Sequence, residues 1–184
     1  MVRRFVRTAA QRTGSKTEPQ TICTKHGRVD RITPDAGHLS MTTARHNILV
    51  VGPSWVGDMV MAQSLFQILC QQMHDVQLSV LAPSWSLPLL GRMPEVTAAI
   101  PTPFEHGQLS LRQRFQLAHQ LRTKHFDQAI ILPRSFKSAL VPFLAGIPIR
   151  TGFLGEKRYG LLNDIRRINQ AELPRTVQHF VQLG

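Results

Sequence analysis

The tightest constraint on this fold is an apolar run that ends abruptly at a Gly-Pro pair. Asn47-Ile-Leu-Val-Val51 is β-branched, too short for a stable helix, and closed by Gly52-Pro53. Unbroken apolarity implies cover on both faces, as in a strand buried inside a parallel sheet. Residues 56–72 then change period, with Val56, Met59, Val60, Leu65, Phe66 and Leu69 spaced for one broad helical face.

The alternation repeats. Val76–Ala82 ends at Pro83, Val96–Ile100 at Pro101 and Ala129–Leu132 at Pro133. Leu109–Lys124 reads as an amphipathic helix with Leu111, Phe115, Leu117, Ala118 and Leu121 inward. Ser135–Ala145 reads as a helix with Gly146 as its C-terminal cap. Strands alternating with helices argue for βαβ units, whose crossovers are right-handed. The expectation is an α/β, Rossmann-like parallel sheet flanked by helices, occupying residues 46–184.

The first 45 residues lack either period and hold nine Lys/Arg against three acids. They bury too little apolar surface to offset chain entropy, so a disordered basic extension is expected. An organellar transit peptide, an anion-binding arm, and upstream sequence before a start at Met41 all remain open. Arg3-Arg4 is not followed by an apolar stretch, which argues against a secretory leader.

The net charge of +11 points to a polyanionic partner. Nucleic acid is not expected, because no recognition motif accompanies the charge. No apolar stretch approaches the length of a bilayer span. The two cysteines and eight histidines show no ligand spacing, so no metal and no cofactor is expected.

In open α/β sheets, ligands gather at the carboxyl ends of strands. The first such end is Gly52-Pro-Ser-Trp-Val-Gly-Asp-Met59, which is neither G-x-G-x-x-G nor a phosphate loop ending in G-K-[ST]. Its one carboxylate, Asp58, stands at the opening of a helix. It serves there either as a cap for free N–H groups or as a general base toward a hydroxyl nucleophile.

Three ordered blocks carry a resemblance. They are Ile48–Met61 (ILVVGPSWVGDMVM), Ser135–Pro148 with Arg150-Thr-Gly152, and Arg158–Asp164 (RYGLLND). From His46 to Gly184 the chain resembles the ADP-heptose:lipopolysaccharide heptosyltransferases of glycosyltransferase family 9, specifically the heptosyltransferase II group. The resemblance implies the amino-terminal, acceptor-binding half of a two-domain GT-B enzyme. It implies inverting transfer of L-glycero-D-manno-heptose from ADP-heptose to the lipopolysaccharide inner core (heptosyl-Kdo2-lipid A). It makes Asp58 the base that deprotonates the acceptor hydroxyl. Ser54, Trp55, Gly57, Ser135, Lys137, Arg150 and Arg158 become acceptor contacts, the cations meeting phosphate or carboxylate groups.

The family pattern leads one to expect asparagine at Arg134 and histidine at Ile149, both placed beside the anion site. Trp85, Leu87 and Leu89 read as packing. The chain stops where the family's first domain hands over to the second. A truncated enzyme, inactive alone, is therefore expected, at the cytoplasmic face of the inner membrane. The alternative is a non-catalytic module that binds lipopolysaccharide or another polyanion.

Overall fold

A computed structural model describes residues 45–73, 75–104, 109–167 and 175–184. The expected disorder of the basic extension, and Met41 with it, lie outside these residues, apart from Arg45.

Six parallel strands form one sheet: β1 (His46–Val51), β2 (Val76–Ala82), β3 (Ala98–Pro101), β4 (Gln128–Ile131), β5 (Ile149–Phe153) and β6 (Asp164–Arg166). Their spatial order is β3-β2-β1-β4-β5-β6. That is the doubly wound order, and its direction of winding reverses between β1 and β4. Alternation along β1 divides the core. Ile48 and Val50 face one layer, with Met59, Leu65, Phe66 and Phe180; Leu49 and Val51 face the other, with Leu117, Leu121, Ala139 and Val141.

Helix α1 (Val56–Gln72) covers the first face through Met59, Ala62, Leu65, Phe66 and Leu69, with α5 (Thr176–Val181) against it. Val56 and Val60, expected inward, are exposed. They lie to one side of the stripe that those five residues bury. A short α2 (Leu87–Leu90) follows a 3-10 turn after β2. β3 starts at Ala98 rather than Val96, whose N–H closes a turn on Met93 O.

The second face carries α3 (Leu111–Arg122) and α4 (Phe136–Leu144). Leu111 and Phe115, expected inward, are corrected: they are 57% and 59% exposed. The buried stripe of α3 is Arg114, Leu117, Ala118 and Leu121. Arg114 takes the inner position because its guanidinium finds partners there: Leu109 O at 2.6 Å, Lys137 O at 2.8 Å, and the Phe104 ring 3.8 Å away. Helix α4 ends as expected, Gly146 adopting φ +72° and bonding Phe143 O.

Candidate acceptor site

A cavity of about 1070 Å³ opens over the carboxyl ends of β1, β2, β3 and β4, across the β1/β4 reversal. Each wall follows from a strand ending at a breaker. After β1 come Gly52, Ser54 and Trp55; after β2, Pro83 and Trp85; after β3, Thr102 and Phe104; after β4, Pro133, Ser135 and Lys137. Glu156, from the loop after β5, completes the rim.

Four of the expected contacts therefore meet: Ser54, Trp55, Ser135 and Lys137. Trp55 is 72% exposed, as a stacking surface requires and a packing residue does not. Trp85 joins it at 49% exposed and lines the cavity, which corrects the expectation that it packs.

The amino end of α4 differs from the site foreseen for a substrate anion. No side chain caps it from Ser135. The Phe136 N–H instead donates to Glu156 Oε2 at 2.9 Å, so the chain supplies its own carboxylate at the positive end of the helix. Ser138 Oγ donates within the same turn, to Ser135 O and Pro133 O. Lys137 stays at the cavity wall, its carbonyl held by Arg114.

Asp58 is the third residue of α1, half-buried and just outside the cavity lining that Ser54 and Trp55 form. No side chain caps α1. Among the described residues the Asp58 carboxylate has neither hydrogen bond nor ion pair. Gly57 precedes it, exposed, with nothing within 4 Å of where a Cβ would stand. Its lack of a side chain answers no internal contact.

Two expected contacts lie elsewhere. Arg150 sits near the amino end of β5, opposite the cavity, donating through Nε to Leu161 O and through Nη1 to Ile147 O. Ile149 is at that same end, paired with Gln128, so it does not adjoin the cavity.

Arg158 is corrected more sharply, being wholly buried. Its Nη1 donates to Pro133 O at 2.7 Å, Ser135 O and Ser138 Oγ, and its Nη2 to Phe153 O. Its Nε–H is buried without a partner among the described residues. Desolvation pushes the Arg158 pKa down to about 10, with Glu156 opposing the shift and Arg134 adding to it. The side chain ties the connection after β5 to the one after β4 and cannot reach a solute. Beside it, Gly155 packs directly on the Arg134 backbone, where any Cβ would collide with Arg134 O.

Arg114 and Phe104 complete the wall and were not legible in sequence. An arginine beside Gln113 in a helix whose apolar period marks Leu111 and Phe115 reads as solvent-facing, and only the fold reveals what it meets.

Residues 114–184 match the model of glycosyltransferase family 9 (heptosyltransferase). Over 137 residues the chain is 54% identical to lipopolysaccharide heptosyltransferase 2 of Escherichia coli K12, covering 74% of this chain and 39% of that protein. It is 53% identical over 137 residues to lipooligosaccharide heptosyltransferase 2 of Haemophilus ducreyi, with the same shares. The solved structure of E. coli ADP-heptose lps heptosyltransferase II matches with a TM-score of 0.69 at 50% identity, over 74% of this chain and 39% of that one.

The chain is a homologue of the family 9 heptosyltransferases. It spans about 39% of the length of the curated relatives it matches. The matched region includes Arg114, Ser135, Lys137 and Glu156, so the family model takes in one wall of the cavity.

Proposed function

We propose that this domain holds the acceptor of an inverting heptosyl transfer, with the lipopolysaccharide inner core (heptosyl-Kdo2-lipid A) as acceptor and ADP-heptose as donor. The observation that carries it is the cavity at the strand ends, in a chain more than half identical to heptosyltransferase 2 proteins over its matched residues. Trp55 and Trp85 offer faces for sugar rings, and Lys137 offers a cation for inner-core phosphate or carboxylate groups. Ser54 and Ser135 supply hydroxyls for ring oxygens. Gly57 keeps the surface beside the base clear of side-chain bulk. Arg150 and Arg158 hold the connections instead of contacting the acceptor.

Asp58 is the base in this account. Its carboxylate accepts the proton of an acceptor hydroxyl while that oxygen attacks the anomeric carbon. The bond from that carbon to the ADP oxygen breaks, ADP leaves with the electron pair, and the configuration inverts without a covalent intermediate. The donor's diphosphate is assigned to a second domain, within the remaining length of the relatives. Because the acceptor is lipid-anchored, the domain works peripherally at the cytoplasmic face of the inner membrane. No described helix is long and apolar enough to cross it.

Calorimetric titration of the 184-residue chain with deacylated inner-core oligosaccharide tests the acceptor assignment. Saturable binding is expected, weakened about tenfold by Lys137→Ala through loss of a charge-assisted contact. Absence of binding, or equal affinity in the variant, contradicts it.

A further inference from the structure

We infer that the outer face of α3 and α4 is a docking surface for an anionic lipid bilayer. This rests on the membrane-peripheral reading above and assigns it to a particular face. Leu111 and Phe115, one helical turn apart, stand more than half exposed on α3 and share a groove with Leu144 of α4. Phe143, also exposed, extends the apolar surface. Single exposed apolar residues are ordinary, but a row shared by two helices is not.

Cations frame the row. Arg112 lines the groove itself. Arg122 reaches across from α3, its Nε and Nη2 donating to Leu144 O at 3.2 and 2.8 Å. The Arg150 guanidinium lies 5.5 Å from the Phe143 ring centroid. From residue 109 to residue 155 the one acid is Asp127, whereas of the seven Lys/Arg only Arg114, buried, and Lys137, on the cavity wall, are placed at the cavity. That carboxylate accepts the Asn47 N–H at the amino end of β1. An apolar row ringed by cations matches the boundary where acyl chains meet anionic phosphates.

Charge also separates the candidate occupants. The basic extension carries nine Lys/Arg against three acids and would meet like charge on this face. A second copy would set the same arginines against one another. An anionic lipid surface complements both the charge and the apolar row.

The test is sedimentation of the 184-residue chain with phosphatidylglycerol vesicles and, separately, phosphatidylcholine vesicles, neither containing lipopolysaccharide. Binding to phosphatidylglycerol alone is expected, falling as salt rises. Leu111→Ser with Phe115→Ser should weaken it about tenfold or more, since both side chains are offered to the bilayer. Both residues are exposed, so the thermal unfolding midpoint should not move. Arg112→Glu, which leaves the apolar row intact, should weaken binding independently.

Added deacylated inner core should leave vesicle binding unchanged, which separates this surface from the acceptor cavity. Equal binding by the double variant, equal binding to both lipids, or competition by the oligosaccharide overturns the inference. So does a wild-type dimer that ignores vesicles and dissociates in the double variant, because the face would then join two copies.

Discussion

Removing the Arg158 guanidinium separates a structural arginine from a binding one. In Arg158→Ala, Pro133 O and Ser135 O still share the Ser138 hydroxyl proton, whereas Phe153 O loses its guanidinium donor. An orphaned buried carbonyl costs about 1–3 kcal/mol. Truncating a fully buried large side chain adds a cavity cost of about 2–5 kcal/mol. Relief from desolvating the guanidinium offsets several kcal/mol of that sum. A net loss of about 3 kcal/mol is expected, a large share of the stability of a domain this size.

Urea unfolding of the chain followed by circular dichroism should show the midpoint falling by about 1–3 M, for a slope of roughly 1–3 kcal/mol/M. Arg158→Lys should fall between, since an ammonium reaches fewer of the four acceptors. A change within about 0.5 kcal/mol, the behaviour of a surface site, would refute the buried placement and return Arg158 to the acceptor contacts.

Three further outcomes follow from the geometry. Gly57→Ala meets no neighbour, so unfolding should show unchanged or slightly raised stability, while calorimetry should show weaker acceptor binding if the open surface serves the ligand. Gly155→Ala should lower the urea midpoint and reduce soluble yield, because its Cβ has no room beside Arg134 O. Trp55→Ala and Trp85→Ala should each leave the unfolding free energy within about 0.5 kcal/mol and quench the change in tryptophan emission on adding inner-core oligosaccharide.

Much of the fold was legible because buried parallel strands declare themselves. Ile48–Val51 and Val80–Ala82 are apolar on consecutive residues, as only a two-sided burial demands, and proline or glycine marks where each stops. β5 and β6 were not read as strands, since Ile149-Arg-Thr-Gly-Phe153 mixes polar and apolar positions toward the sheet's edge. The face of α3 was misread by a small rotation, because a buried arginine took a place that hydrophobic periodicity reserves for apolar residues.

The cavity follows the same logic. Ser54, Trp55, Ser135 and Lys137 were recoverable because each comes just after a strand's carboxyl end. Arg150 was not, because it enters its strand at the amino end, and a conspicuous cation carries no mark of which end it occupies. Arg158 and Glu156 depend on contacts 20 or more residues away, which local pattern does not encode.

The most direct measurement of the central claim is turnover by Asp58→Asn in residues 46–184 joined to the remaining portion of the E. coli heptosyltransferase 2 relative. ADP release from ADP-heptose, with deacylated inner core as acceptor, reports the chemistry, and calorimetry reports acceptor affinity. With Asp58 as the base, turnover should fall about 10²–10⁴-fold while affinity and unfolding midpoint stay put. Turnover within about twofold of the unmutated fusion, at the same midpoint, would contradict the assignment.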